Sequence, residues 1–345
     1  MNKNGEAEKK QDYRVEKDSI GTKDVPQNVY YGVQSLRAAE NFHITGLNMH
    51  PEIINSLAYI KKAAAITNCE IGMLDKKKAK AIVQACDEIL EGKLHGDFIV
   101  DPIQGGAGTS LNMNANEVIA NRAIEILGGE KGDYSIINPN DDVNCGQSTN
   151  DVIPTAGKMT SLRLLKNLKK ELLRLHKALC AKAKEFDHVI KMGRTQMQDA
   201  VPIRLGQEFN AYSVAVMRDI HRMDRAMEEM CTLNMGGTAV GTGINADEAY
   251  LRRIVPNLVE VSDMEFVQAY DLIDATQNLD PFVAVSGAVK ACAVTLSKIA
   301  NDLRLMSSGP RAGFGEINLP AKQNGSSIMP GKVNPVIPEV VNQVA

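Results

Sequence analysis

The sequence has no tryptophan, and aromatic residues make up only 4% of its 345 positions. Few large rings are therefore available to fill a β-sandwich, and a core of Leu, Ile, Val, Ala and Met suits packed helices better. No uninterrupted apolar run approaches the roughly 20 residues that span a bilayer. The polar N-terminus also lacks the apolar region of a secretory signal. We therefore expect no membrane partner and a cytoplasmic location.

Patterns that bind metals are missing as well. The six cysteines include no CxxC pair, and the six histidines include no HxxxH or HxH pair. Neither a zinc framework nor a disulfide scaffold is indicated, and a reducing compartment fits best. The formal net charge of −3 gives no electrostatic reason to bind nucleic acid. We expect no metal site and no nucleic-acid partner.

Apolar residues recur at helical spacing along most of the chain, without alternating strand patterns. Pro51 is a favourable first-turn residue, and Asp75 is a favourable N-cap for the helix that follows it. The predicted fold class is all-α, a long-helix bundle. A further helix begins after Pro338. The other predicted helices cover residues 51–68, 76–91, 112–127, 151–187, 202–231 and 272–306.

Four segments rich in Gly, Ser, Thr and Asn interrupt the helical pattern. Any one of them alone is typical of a capping loop, because these residues favour helix N-caps and tight turns. Helix N-termini with hydroxyl and amide donors also bind anions, especially carboxylates. Four such loops, together with Arg194 and Lys332, suit a small dicarboxylate. The segments are residues 104–114, 138–151, 191–199 and 324–335.

The last of these segments contains the candidate base. Ser326 and Ser327 precede a Met-Pro-Gly turn, and Lys332 and Asn334 follow it. A serine loses its proton only where backbone N–H groups and a cation stabilise the alkoxide. A glycine-containing loop with Lys332 nearby provides both. The simpler interpretation is a pair of helix-capping serines.

Residues 325–335, Gly-Ser-Ser-Ile-Met-Pro-Gly-Lys-Val-Asn-Pro, resemble the signature loop of the fumarase/aspartase superfamily. Residues 108–110, 146–151 and 193–195 resemble the other substrate loops of that superfamily, in the same order. The resemblance extends over nearly all of residues 14–345. It implies an enzyme that reversibly eliminates a leaving group from a succinyl-type substrate to give fumarate.

Three features favour the aspartase branch, which removes ammonia from L-aspartate. The opening from Arg14 to Phe42 resembles aspartases, and so do residues 316–320 and 338–344. The third feature is Gln196, which stands where fumarases and some aspartases carry a His. Water loss needs acid assistance from that His more than ammonia loss does.

Two alternatives stay open at this point. The first is a class II fumarase, although Asp142 also stands where fumarases have a His. The second is a non-catalytic helical assembly protein that keeps the fold, as crystallins do in a related lyase family. The intact Ser326, Lys332 and Asn334 argue against the second alternative.

The resemblance further implies a homotetramer whose active sites draw loops from three subunits. It implies an N-terminal helical domain over residues 1–150, a central long-helix domain over residues 151–345 and a small C-terminal domain. The sequence ends at Ala345 in an apolar helix that lacks a C-cap. We therefore expect an incomplete central domain and no C-terminal domain. No organic cofactor is needed.

The same resemblance assigns roles to individual residues. Ser326 is the base that removes the C3 proton, and Ser327 donates within the loop. Lys332 and Asn334 bind the α-carboxylate. The remaining substrate-binding residues hold the β-carboxylate or lie near the amino group, and they are Thr109, Ser148, Thr149, Asn150, Thr195 and Gln196.

Overall fold

The computed structural model describes residues 12–345 and confirms the all-α class. The strands of this part of the chain are short and form three separate two-stranded sheets. In chain order the elements are β1 (Tyr13–Lys17), β2 (Thr22–Pro26), α1 (Val33–Asn41), α2 (Pro51–Glu70), α3 (Lys76–Leu90), α4 (Thr109–Ile126), α5 (Thr149–Glu185), β3 (Ile190–Thr195), β4 (Gln198–Arg204), α6 (Leu205–Met230), β5 (Thr232–Leu233), α7 (Glu248–Ser262), β6 (Val267–Gln268), α8 (Leu272–Gln277), α9 (Asp280–Met306) and α10 (Val336–Val344).

The chain divides into two compact units. Unit 1 comprises the chain up to Arg163 together with Met230–Leu279. Unit 2 comprises Leu164–Glu229 and Asp280–Ala345. Residues 1–11, part of the predicted N-terminal domain, lie outside the described residues. The predicted division between residues 150 and 151 stays a prediction.

In unit 1, the starts of two helices confirm the sequence analysis. α2 begins at Pro51, which has no backbone N–H to leave unpaired. The Asp75 carboxylate caps α3 by accepting hydrogen bonds from the N–H groups of Lys77 and Lys78. α2 packs against α3 and α7, and α3 packs against α4. The sequence analysis did not predict α7.

The core of unit 2 lies among α5, α6 and α9. Leu165, Leu172 and Leu179 lie on the predicted apolar stripe of α5 and are all buried. Phe186 and Phe209 pack edge to face, with ring centroids 5.3 Å apart. The remaining buried members of this core are Leu205, Tyr212, Val216, Ile220, Met223, Ala226, Ala288, Cys292, Ile299 and Met306.

The predicted loop at residues 191–199 is wrong, because β3 and β4 form an antiparallel hairpin there. Its two turn residues, Gln196 and Met197, have φ angles of 55° and 61°. Such angles are typical of a two-residue hairpin turn but are uncommon for these side chains, so Gln196 and Met197 do not indicate a turn in the sequence. The predicted helix start at Pro202 is also wrong, since Pro202 lies within β4 and α6 begins at Leu205.

The predicted continuous helix over residues 272–306 is interrupted. α8 ends at Gln277, and Asn278 has an extended backbone. α9 then begins at Asp280, with Pro281 in its first turn. Proline cannot donate a backbone hydrogen bond to a preceding turn, so it starts a helix readily but does not continue one.

α9 is the apolar helix of unit 2. Within residues 12–345, it is the one helix whose length and composition would allow it to cross a membrane. Only 17% of its most apolar 18-residue stretch is buried in this chain. Ala288, Cys292 and Ile299 face the core. Val283 and Val294 are 71% and 65% exposed. Core helices of globular proteins have the same composition, so this feature alone does not indicate a membrane.

Candidate active site

In unit 1, the N-terminal ends of α4 and α5 lie side by side. The Asn112 Nδ2 on the first turn of α4 donates to Thr149 Oγ1 at the start of α5 over 3.4 Å. Gly108 has a φ of 91°, and a Cβ placed on it would lie 2.9 Å from the Cγ2 of Ile153 on α5. A glycine is therefore required for this approach. Adjacent helix N-termini attract anions such as a carboxylate.

Three of the predicted residues begin α5. Ser148 and Asp151 form a capping box, because the Asn150 N–H donates to Ser148 Oγ over 3.2 Å and the Ser148 N–H donates to Asp151 Oδ1 over 2.9 Å. Asn150 is exposed and donates through Nδ2 to the Ala239 carbonyl over 2.7 Å. Thr109, at the start of α4, donates to the Gly106 carbonyl over 2.6 Å.

Asp151 is buried beneath this arrangement. Its Oδ2 accepts hydrogen bonds from the N–H groups of Gly236 and Thr238 over 3.3 and 3.0 Å. Burial raises the pKa of the carboxyl to about 6, against the opposing effect of these bonds. These contacts make Asp151 a structural acceptor that joins the start of α5 to the backbone at Gly236 and Thr238.

Lys61 is a buried residue beneath the candidate site that the sequence analysis missed. Its side chain is fully buried in α2, and its Nζ donates to Asn144 Oδ1 over 2.8 Å and to Gln147 Oε1 over 2.9 Å. Burial lowers the pKa of this amine to about 7. Lys61 follows Ile54 and Leu57 on the apolar stripe of α2, and this position was the signal that could have revealed it.

Asp142 has a structural role in the loop before α5. It pairs with Lys78 over 2.8 Å and accepts the Asn138 N–H over 2.8 Å. It lies in a π-helical turn, Pro139–Val143, just before the capping box of α5. The position where fumarases have a His is therefore occupied here by a residue that fixes the loop.

In unit 2, the candidate base lies in a tightly closed loop. Ser326 is half-buried, and its Oγ accepts the N–H groups of Ile328 and Met329 over 3.3 and 3.1 Å. The Gly325 N–H donates to the Lys332 carbonyl over 2.8 Å, which closes the loop. Two donors on one hydroxyl oxygen stabilise negative charge on that oxygen.

Asn334 holds the other side of this loop. Its Nδ2 donates to the Gly325 carbonyl over 3.0 Å. A Cβ at position 325 would lie 2.6 Å from the Asn334 Cγ, so only glycine fits there. The side chains of Ser327 and Lys332 are exposed at the surface of the loop. The loop thus presents a hydroxyl, an ammonium group and an amide within ten residues.

The hairpin of β3 and β4 presents the other two predicted residues of unit 2. Thr195 ends β3 and is paired with Gln198, while Gln196 is in the turn itself. Both side chains are exposed. A bulge between Met192 and Arg194 precedes them. A Cβ on Gly193, at the bulge, would lie 2.8 Å from the Val201 carbonyl oxygen, so glycine is required for the strand pairing.

The structure therefore groups the predicted site residues within each unit. Unit 1 brings together the residues at the starts of α4 and α5, and unit 2 brings together those of the serine loop. The hairpin of unit 2 carries Thr195 and Gln196. Residues 12–345 contain no group of three or more His, Cys, Asp or Glu side chains that could hold a metal ion.

The sequence matches the lyase family over residues 21–345. It is 59% identical over 334 residues to the aspartate ammonia-lyase of Bacillus subtilis (strain 168), and the match covers 97% of this chain and 70% of that relative. The aspartate ammonia-lyase of Escherichia coli (strain K12) is 50% identical over 334 residues, with 96% of this chain and 70% of that relative covered.

Solved structures have the same fold. The cobalt-bound fumarate lyase:delta crystallin from Brucella melitensis is 52% identical, with a TM-score of 0.94 over 96% of this chain and 73% of that chain. The class II fumarase from Schistosoma mansoni is 37% identical, with a TM-score of 0.93 over 96% of this chain and 73% of that chain. These matches confirm the expected superfamily, and the curated relatives confirm its aspartase branch. The chain belongs to the lyase family and, within it, to the aspartate ammonia-lyases.

Proposed function

We propose that this protein catalyses the reversible deamination of L-aspartate to fumarate and ammonia, with Ser326 as the catalytic base. The observation that carries the proposal is the pair of backbone N–H groups, from Ile328 and Met329, that Ser326 Oγ accepts. A serine alkoxide is strongly basic, and donors fixed in place lower the free energy of forming it. No helix begins at Ser326, since the next helix is α10 from Val336, so the hydroxyl is not a helix cap.

The reaction balances without a cofactor. The Ser326 alkoxide takes the C3 proton, and the electron pair of the C3–H bond moves into the neighbouring carboxylate to give an aci-carboxylate. That pair then forms the C2–C3 double bond as the C–N bond breaks. The ammonium group leaves as ammonia with the electrons of the C–N bond, the proton on Ser326 passes to solvent, and the product is fumarate.

The residues of unit 1 stabilise the charge that develops on the β-carboxylate. Thr109, Ser148, Thr149 and Asn150 lie at two helix N-termini, where hydroxyl, amide and backbone donors favour anions. The aci-carboxylate carries more negative charge than the ground-state carboxylate. Donors that bind this species more strongly than the substrate accelerate proton removal.

The residues of unit 2 bind the rest of the substrate. Lys332 and Asn334 hold the α-carboxylate, and Ser327 donates within the loop. Thr195 and Gln196 lie near the amino group. Gln196 is neutral and does not supply a proton near pH 7, which suits the loss of ammonia better than the loss of hydroxide.

We also propose that the working enzyme is a cytoplasmic homotetramer whose active sites combine loops from several subunits. Support comes from the apolar surface of unit 2. Val283 and Val294 on α9 and Val214 on α6 are at least half exposed in the single chain. Monomeric proteins rarely expose large apolar patches, and association of helices would cover them. The six cysteines, all within the described residues, form no disulfide with one another, which is compatible with a reducing compartment.

An absorbance assay for fumarate tests this function. The full chain is incubated separately with L-aspartate and with L-malate at alkaline pH. Formation of fumarate from aspartate alone supports the proposal. Formation from malate alone would identify a class II fumarase, and no formation from either would favour a non-catalytic assembly protein. Size-exclusion chromatography with light scattering gives the oligomeric state of the same sample.

A further inference from the structure

The serine loop belongs to a long irregular segment of unit 2. Residues 307–335 connect α9 to α10, and irregular connections of this length are uncommon unless they are functional. The α10 end is held to α9, because the Asn342 Nδ2 donates to the Ser297 carbonyl over 3.0 Å and the Arg304 guanidinium donates to Asn342 Oδ1 over 3.0 Å. The rest of segment 307–335 must also contact the body of unit 2 if the serine loop is to have one position.

Glu316 provides such an attachment. The Arg194 guanidinium binds its carboxylate with two parallel hydrogen bonds, Nη1 to Oε1 and Nη2 to Oε2, the second over 2.8 Å. Lys191 Nζ lies 2.8 Å from Glu316 Oε2. The Glu316 N–H donates to the Met306 carbonyl over 2.8 Å. Paired fork geometry of this kind fixes orientation as well as distance.

The surroundings strengthen this contact. The Arg194 guanidinium stacks over the Phe314 ring, 4.5 Å from its centroid. Lys191 also pairs with Glu208 over 2.9 Å, so two cations and two carboxylates balance each other. The hydrogen bonds from Arg194 lower the pKa of Glu316 to about 2, so its carboxylate stays ionised at neutral and alkaline pH.

The two partners belong to the two substrate loops of unit 2. Arg194 lies on β3, directly before Thr195 and the turn residue Gln196. Glu316 lies upstream of Ser326, and residues 318–324 between them are mostly exposed. The contact at Glu316 therefore divides segment 307–335 into two shorter parts, and it anchors the start of the part that contains Ser326. Shorter parts lose less entropy when the loop adopts one position.

We propose that Glu316 is a positioning residue that, through Arg194, couples the Thr195–Gln196 turn to the loop of Ser326. This inference rests on the proposed function of Ser326. The attachment then holds the Ser326 loop in one position against the β3–β4 hairpin of the same chain. Misplacement of a reacting group by about 1 Å can reduce a rate by about 10²-fold.

The test compares Glu316→Gln, Arg194→Gln and the double variant in the full chain. Steady-state kinetics with L-aspartate should show a kcat/KM at least about 10-fold lower in each single variant, with both kcat and KM affected. The double variant should lose no more than the worse single variant, because both substitutions remove the same coupling. Glu316→Asp keeps the charge and should recover part of the loss. Circular dichroism checks that each variant folds.

A second measurement does not depend on catalysis. Trypsin cleavage after Lys322, which is exposed, reports the freedom of the part between Glu316 and the serine loop. Cleavage should be faster in both single variants than in the wild type. If the wild type does not turn over L-aspartate, the proposed function fails, and the cleavage rates still decide whether the coupling exists.

Asp187→Asn is the matched control, because Asp187 pairs with Arg204 at the base of the same hairpin over 2.9 Å and both side chains are exposed. An exposed ion pair of this kind contributes little to the stability of the fold. Unchanged kinetics and unchanged cleavage in Glu316→Gln would overturn the proposal. Equal losses in Asp187→Asn would also overturn it, since the effect would then be general loosening of the hairpin.

Discussion

Lys61 Nζ lies 2.9 Å from Gln147 Oε1, so a fully buried amine on α2 supports the loop that leads into α5. The same amine donates to Asn144 Oδ1. A neutral amine has two hydrogens to donate, and these two amide oxygens accept them. The neutral form is favoured by burial, and both of its donors are satisfied without a counter-ion in contact.

Replacement of Lys61 should therefore damage catalysis through the loop. In Lys61→Met the Gln147 Oε1 loses its lysine donor, whereas Asn144 Oδ1 keeps the hydrogen bond from Asn112 Nδ2. A buried acceptor left unpaired costs about 1–3 kcal/mol. We expect the loop from Asn144 to Asn150 to shift and kcat/KM for L-aspartate to fall by about 10-fold or more. Lys62→Met is the control, since Lys62 pairs with Asp87 near the surface. Equal activity of the two variants would contradict this role.

The buried pair Lys61 and Asp151 also predicts a pH dependence of stability. The pKa of Lys61 falls from 10.5 to about 7 on folding, so the unfolded chain binds more protons between these values and stability rises with pH there. The pKa of Asp151 rises from 3.8 to about 6, so its contribution to stability falls as pH rises through that range. The summed contribution of Lys61 and Asp151 to the free energy of unfolding is therefore lowest near pH 6–7.

Urea unfolding of the wild type and of Lys61→Met at pH 7 and pH 9 measures the first of these effects. The wild type should gain about 2 kcal/mol relative to the variant between the two pH values. A constant difference in the free energy of unfolding would show that Lys61 titrates as it does in the unfolded chain.

Local signals in the sequence were enough to predict some parts of the fold and of the candidate site. Asp75 and the capping box of Ser148 act over two or three residues, and the loop of Ser326 is closed by bonds within ten residues. The contact between Arg194 and Glu316 joins residues 122 positions apart, which no local pattern predicts. The hairpin turn at Gln196 also escaped prediction, because its positive φ is imposed by strand pairing and not by a turn-forming side chain.

Ser326→Ala should abolish turnover while leaving the fold intact. The variant removes the proposed base, and loss of a general base typically costs about 10²–10⁴-fold in kcat. The N–H groups of Ile328 and Met329 lie in an exposed part of the loop, so water can replace the hydroxyl as their partner. Circular dichroism and the fumarate assay check both expectations. A kcat close to that of the wild type would assign the base to another residue.

Lys332→Ala should raise KM for L-aspartate sharply. A carboxylate that loses a charge-assisted hydrogen bond loses about 1.5–3 kcal/mol, which corresponds to a KM increase of about 10- to 100-fold. A lower kcat should accompany it, since the C3 proton is then held less well. Lys322→Ala, in the same segment, is the control. A KM equal to that of the wild type would place Lys332 outside the substrate site.

Gln196 gives the sharpest test of the leaving-group argument. Hydroxide needs a proton delivered as the C–O bond breaks, and an amide does not supply one at pH 7. Ammonium already carries its protons, so L-malate should be a very poor substrate of the wild type. Gln196→His adds a group that can donate a proton, and the exposed hairpin turn has room for the imidazole.

We expect this variant to gain measurable malate dehydration and to keep most of its activity on aspartate, because general acid catalysis typically contributes about 10²–10⁴-fold. The measurement is fumarate formation from each substrate in the wild type and in Gln196→His. Gln196→Asn is the matched control, since it changes the size of the side chain without adding an acid. Efficient malate dehydration by the wild type would reject ammonia loss as the main reaction. No gain in Gln196→His would leave ammonia loss in place and reduce Gln196 to a polar contact with the substrate.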